Sequence, residues 1–131
     1  MKGMVWFVRA CAAYNFSGAL SFLIPGALAM LGVALPSSSF WLVLPAMFAT
    51  FAGLALLFAS RDLEHRASLA YWNGLVRLTF VVAVFAFGLG SDVGTFVKWL
   101  ALGDVPLAIG AVFILPRVVR RGHGELLLGT A

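Results

Sequence analysis

Charged residues are scarce in this chain of 131 residues. Asp, Glu, Lys and Arg make up 11% of the sequence, while 63% of the residues are hydrophobic. An average soluble domain has about 25% charged residues. The mean hydropathy is correspondingly high, at +1.04. This shortage of charge excludes an ordinary soluble domain and predicts an integral membrane protein, because the apolar residues also occur in long blocks.

Cysteine and histidine are also rare. Cys11 is the only cysteine, so no disulfide can form within the chain, and we expect it to be a small apolar packing residue. His65 and His123 fall outside the long apolar stretches, which argues against a haem held by a buried histidine. No P-loop, dinucleotide fingerprint or nucleophile–base motif occurs. These absences predict no cofactor and no metal, and they argue against an enzyme.

The apolar residues fall into four stretches, each long enough to cross a bilayer, which takes about 20 residues. They cover approximately residues 4–31, 40–59, 68–89 and 95–115. The connections between them are short, so consecutive helices should lie antiparallel and adjacent. The predicted fold is all-α, an up-down bundle of four transmembrane helices over residues 1–116. Pro116 is expected to end the fourth helix, and residues 117–131 then form a basic tail.

The basic residues predict the orientation of this bundle. Seven of the nine Lys and Arg residues fall on one side of it: Lys2, Arg9, Arg61, Arg66, Arg117, Arg120 and Arg121. Because cytoplasmic segments carry an excess of Lys and Arg, both termini are predicted to be cytoplasmic. The arginines at 117, 120 and 121 should then contact lipid headgroups. The net charge of +4 reflects this orientation, and nucleic acid is not a predicted partner.

Four strongly polar side chains lie deep inside the predicted spans: Asn15, Asn73, Arg77 and Asp104. Arg77 is about nine residues from one face of the membrane and Asp104 about nine from the other, so both lie near the midplane. A lone charge at that depth costs about 2.5–3.5 kcal/mol on insertion scales. The sequence therefore predicts an Arg77–Asp104 ion pair between helices three and four. Asn73 or Asn15 would satisfy the remaining hydrogen-bonding groups.

Small residues flank both members of this pair at helical spacing. They are Ala70, Gly74, Ala101, Ala108 and Ala111. Small side chains allow membrane helices to approach closely, which supports direct contact between helices three and four. Pro106 lacks a backbone N–H, and Gly103 adds flexibility nearby, so helix four is predicted to kink close to Asp104.

The overall plan resembles that of small bacterial four-helix membrane proteins of the DoxX-like type. The likeness rests on the length, the four stretches, Arg9 at the start of helix one, the "RDLEH" turn and the "GD" in helix four. The resemblance implies a multi-pass protein of the bacterial inner (plasma) membrane. It also implies an accessory role beside a larger, quinone-linked membrane complex.

These observations lead to two main hypotheses. The first is a non-catalytic accessory or scaffolding subunit of a larger membrane complex, in which the Arg77–Asp104 pair locks helices three and four. The alternative is a small oligomeric transporter or ligand-binding protein that uses the same pair in a polar cavity. A membrane-embedded enzyme acting on a lipid or quinone would have only one or two acid–base groups. The predicted partners are the bilayer and either a larger membrane complex or further copies of this chain.

Overall fold

The computed structural model describes residues 1–24 and 26–130, and over these residues the chain is helical without any β-strand. The predicted all-α class is confirmed. The elements are α1 (Lys2–Leu23), α2 (Ala27–Met30), α3 (Phe40–Arg61), α4 (Leu63–Ala86), α5 (Leu89–Asp92), α6 (Phe96–Ile109), a π-helical turn (Gly110–Ile114), α7 (Leu115–Val119) and α8 (His123–Leu128).

Three helical segments of the described chain are long and apolar enough to cross a membrane. They are Phe40–Arg61, Leu63–Ala86 and Phe96–Val119, the last comprising α6, the π turn and α7. Helix α1 is also 22 residues long, but Arg9, Asn15 and several small polar residues lower its hydropathy. The structure therefore gives three candidate spans by length and composition, where the sequence predicted four.

The first helix is shorter than predicted. The apolar stretch was expected to be helical from about residue 4 to 31, but α1 ends at Leu23. Gly26 has a φ of 78°, a left-handed conformation that interrupts an α-helix and that glycine adopts at low cost. A short helix then resumes at Ala27. Pro25 belongs to the predicted stretch but lies outside the described residues.

The turn between α3 and α4 is tighter than the predicted loop "SRDLEHRA". Only Asp62, in a non-helical conformation, separates the two helices, so the third helix begins at Leu63 and not near residue 68. His65 Nδ1 lies 2.9 Å from Asp62 Oδ1. This hydrogen bond holds the pKa of Asp62 below its ordinary value. Arg66, which has non-helical backbone angles, donates from Nη1 to the carbonyl oxygen of Phe58 at 3.3 Å.

The fourth apolar segment differs from the prediction in two places. Helix α6 runs unbroken across Pro106 to Ile109, and the irregular turn comes later, at Gly110–Ile114. Pro116 does not end the helix, because it lies in the first turn of α7, directly after that π turn. A first-turn position suits proline, which lacks the N–H that would otherwise bond back along the helix. The helix ends at Val119, because the next residue, Arg120, adopts a left-handed conformation.

Small residues set the distance between neighbouring helices. α1 packs mainly on α3, and α4 packs on α6, on α3 and on the π turn. Gly74 of α4 lies so close to the π turn that an added Cβ would stand 2.5 Å from Cβ of Ala111. Ala70, Ala101 and Ala108 are buried in the same region. The predicted small-residue face therefore lies at the contact between α4 and the last apolar segment.

The end of the chain packs against the helices instead of standing apart as a tail. Helix α8 contacts α4, and Leu126 is completely buried within the core cluster. Tyr71 Oη lies 2.9 Å from His123 Nδ1. Trp72 Nε1 donates to the carbonyl oxygen of Leu127 at 3.1 Å. An apolar side chain beyond residue 116 thus contributes to the core.

Candidate functional site

Arg77 and Asp104 lie at matching levels of their helices. Arg77 is nine residues before the end of α4 at Ala86, and Asp104 is eight residues after the start of α6 at Phe96. At about 1.5 Å per residue, these separations are about 13 Å and 12 Å. Both residues are buried, with 5% and 7% of their surface exposed. The structure therefore brings the two charges together within the bundle.

The guanidinium of Arg77 is bound on every nitrogen. Nη1 donates to Oδ1 of Asp104 in a buried ion pair. Nε donates to Asn73 Oδ1 at 2.9 Å, and Nη2 donates to Asn15 Oδ1 at 2.7 Å. A further bond runs from Nη2 to the carbonyl oxygen of Cys11 at 3.2 Å. One side chain of α4 thereby connects α1 and α6, and all four polar residues singled out in the sequence lie in one cluster.

Asn15 is only partly satisfied by this arrangement. Because Arg77 donates to its Oδ1, the orientation of the Asn15 amide is set by the guanidinium. The amide nitrogen Nδ2 is then buried with no hydrogen-bond partner in the described residues. A buried donor left without an acceptor costs about 1–3 kcal/mol. The cluster therefore contains an amide NH2 group that could donate to an oxygen atom brought next to it.

Two residues of α1 that the sequence analysis did not assign to the cluster also belong to it. Cys11 contributes its carbonyl oxygen, and the Tyr14 ring centre lies 5.1 Å from the guanidinium carbon of Arg77, a cation–π contact. Tyr14 follows Cys11 by three positions and Asn15 follows it by four. This spacing places both residues on the same helix face as Cys11. That spacing was the signal in the sequence, although it did not indicate a backbone carbonyl as a partner.

A groove on the side of the bundle leads to this cluster. Its volume is about 560 Å³, within the usual range of small-molecule sites, about 300–1,000 Å³. The outer part is apolar and includes the exposed side chains of Trp41, Phe48 and Val76. The inner part is polar. It is formed by Asn15, Asn73, Arg77 and Asp104.

The three tail arginines lie apart from the cluster. Arg117 is an exposed residue of α7, and Arg120 and Arg121 follow directly after that helix. They have no hydrogen bonds from their side chains within the described part of the chain. Their predicted contact with lipid headgroups stays a prediction.

The chemistry of the cluster is that of a neutral polar site. The charges of Arg77 and Asp104 cancel, and the two amides carry none. In residues 1–24 and 26–130 there is no group of three or more His, Cys, Asp and Glu side chains that could hold a metal ion. The arrangement can fix helices in register, and it can offer hydrogen bonds to an uncharged group that enters the groove.

Comparisons with protein-family models, with curated proteins and with solved structures gave no match.

Proposed function

We propose that this chain is a multi-pass membrane protein in which α1 forms a fourth span. Its 22 residues extend for about 33 Å, enough to cross a hydrocarbon core of about 30 Å. Asn15 lowers the hydropathy of α1, but its side chain contacts Arg77 in the interior and does not need to face lipid. The proposed architecture is an antiparallel bundle of four helices. Both termini are cytoplasmic, in the plasma membrane of a bacterium.

The proposed role is that of a non-catalytic accessory or scaffolding subunit of a larger membrane complex. The observation that supports it is that each of the three nitrogens of Arg77 donates to a group of this chain. A guanidinium held on all three nitrogens is fixed in position, and it connects α4 to α1 and α6. The DoxX-like resemblance agrees with such a role and stays a prediction.

The orientation can be tested by labelling single cysteines. Cys11 is buried and would be replaced by alanine. One new cysteine would then be placed at exposed Ser38, between α2 and α3, or at exposed Gly124 in α8. With a membrane-impermeant maleimide added outside spheroplasts, we expect Ser38→Cys to react and Gly124→Cys to stay unlabelled until the cells are lysed. The reverse pattern would refute the proposed orientation.

The accessory role can be tested by purifying the tagged chain from native membranes in a mild detergent. We expect a larger membrane protein to co-purify in a fixed ratio. The double variant Arg77→Gln, Asp104→Asn should retain that partner if it folds, because the pair acts only within the bundle. Recovery of a homo-oligomer with no other protein would contradict the accessory role.

A second function, ligand binding or transport, is favoured by the groove that leads to the cluster. A purely structural ion pair needs no access from outside, yet Asn73, Arg77 and Asp104 all line an open groove. On this alternative, the double variant would fold normally and lose activity or a bound small molecule. Mass spectrometry of the purified protein and its small molecules distinguishes the two functions.

A further inference from the structure

The polar end of the groove contains hydrogen-bond donors and acceptors that have no partner among the described residues. Nδ2 of Asn15 is buried without a partner. Asp104 accepts the bond from Arg77 through Oδ1, and the hydrogen bonds found among residues 1–24 and 26–130 leave its Oδ2 unused. Both residues line the groove. A group that accepts one hydrogen bond and donates another would match them.

The charge of the cluster restricts the ligand further. Arg77 and Asp104 neutralise each other in a buried ion pair, so an anionic or cationic headgroup would bring an uncompensated charge into a low-dielectric site. A hydroxyl group is neutral, and it both donates and accepts. It could donate to Oδ2 of Asp104 and accept from Nδ2 of Asn15.

The apolar part of the groove determines the rest of the molecule. Phe48 and Val76 are exposed on the outside of the bundle, and Phe80 lies further along α4. If the helices span the membrane as proposed, these side chains face hydrocarbon. An acyl or isoprenoid chain could lie along them without leaving the bilayer, while its head reaches the cluster.

We propose that the groove between α3 and α4 binds a neutral lipid with a hydroxyl headgroup, which enters sideways from the bilayer. This inference rests on the membrane-spanning arrangement of the proposed function. The groove includes Trp41 at the start of α3 and extends only to Ala52 on that helix. It therefore opens in the half of the bundle away from the cytoplasm in the proposed orientation.

The experiment uses the full chain in phosphatidylcholine nanodiscs with a monoacylglycerol that carries a diazirine in its acyl chain. After photolysis, labelled residues are mapped by mass spectrometry. We expect labelling concentrated on Trp41, Phe48, Val76 and Phe80. Excess long-chain alcohol should reduce it at least fivefold. A fatty acid and an alkylamine of the same chain length should have less than a twofold effect.

Two alanine variants provide a matched comparison. Ala49 lines the groove, so Ala49→Phe should fill it and reduce groove labelling at least fivefold. Ala13 is exposed on α1 and lies outside the groove, so Ala13→Phe should leave the labelling unchanged. Circular dichroism should show the same helix content in both variants as in the parent, which checks that they fold.

Three outcomes would overturn the proposal. Even labelling of all exposed apolar side chains, unaffected by Ala49→Phe, would mean ordinary contact with bulk lipid. Equal competition by the charged amphiphiles would exclude a site specific for a hydroxyl headgroup. Groove labelling that survives Ala49→Phe in a folded variant would show that the bound lipid does not enter the groove beside Ala49 and so does not reach the polar cluster. None of these outcomes depends on the accessory role. The cysteine labelling described above tests the membrane orientation separately.

Discussion

Nη2 of Arg77 lies 2.7 Å from Oδ1 of Asn15, so α4 holds α1 through a hydrogen bond between two side chains inside the bundle. Asn15 is one of several polar residues that lower the hydropathy of α1, and Arg77 is a charge within an apolar helix. Each is costly in a membrane when alone. Their contact, together with Asp104, replaces isolated polar groups by a connected network.

The ion pair predicts a characteristic pattern of stabilities. Arg77→Gln or Asp104→Asn alone should lower the free energy of unfolding by about 3–5 kcal/mol, because each leaves the other charge buried and unpaired. The double variant should regain much of this loss. Unfolding in mixed detergent micelles measures all three, and Arg117→Gln, at an exposed position, is the control. If both single variants are as stable as the parent, the pair does not hold the bundle.

Close packing at Gly74 predicts opposite effects for two glycine substitutions. Gly74→Ala would place a Cβ 2.5 Å from Cβ of Ala111, and such overpacking should cost about 1–3 kcal/mol. Gly18 in α1 has no atom within 4 Å of an added Cβ. Gly18→Ala should therefore stabilise the helix by about 0.5–1 kcal/mol. The same unfolding assay checks both, and equal effects would contradict the close contact between α4 and the π turn.

The docking of α8 predicts a difference between two leucines that lie two positions apart. Leu126 is fully buried, whereas 79% of Leu128 is exposed. Leu126→Ala should release α8 from α4, since a buried Leu→Ala change costs about 2–5 kcal/mol. Amide hydrogen exchange at residues 123–128 should then become much faster, while Leu128→Ala changes it little. Unchanged protection in Leu126→Ala would show that burial of this side chain does not hold α8.

The turn between α3 and α4 predicts a small pH effect. The hydrogen bond from His65 lowers the pKa of Asp62, so the folded state favours the carboxylate. The resulting stability is fully present above the ordinary Asp pKa of about 3.9, and it is lost as the pH falls through the lower, folded-state pKa.

Melting temperatures in detergent between pH 6 and pH 2.5 test this effect. The parent should be slightly more stable than Asp62→Asn at pH 6, and the difference should disappear at the acidic end. His65→Gln removes the cause of the shift and should flatten the dependence. A difference between parent and Asp62→Asn that grows with acid would have the wrong sign. The effect is small because 68% of the His65 side chain and 43% of the Asp62 side chain are exposed to solvent, which weakens such a contact.

Composition and spacing predicted the helical class and the residues of the polar cluster, because buried charges in an apolar sequence require partners. They did not predict where the chain departs from regular helix. Pro106 and Pro116 looked like the points of irregularity, yet the π turn lies between them. Two close contacts occur at this turn: Gly74 packs against Ala111, and Gly110 packs against the Phe7 ring. Both contacts join parts of the chain that are distant in sequence.

The sequence also did not predict the packing of α8 on α4 or the presence of the groove. Leu126 is one of three consecutive leucines at 126–128, and nothing local distinguishes the buried one from its exposed neighbours. The groove depends on the gap between α3 and α4, which is set by the side chains of several helices together. The spacing of residues along one helix does not determine the width of a gap between two helices.

The matching depth of Arg77 and Asp104 has an electrical consequence for a bundle that spans a membrane. A single charge moved across the full transmembrane voltage changes the free energy by about 2.3 kcal/mol per 100 mV. Opposite charges at one level experience the same potential, so their contributions cancel. As long as the two side chains move together, the membrane voltage exerts no net force on this pair, and the pair contributes nothing to any response of the bundle to depolarisation.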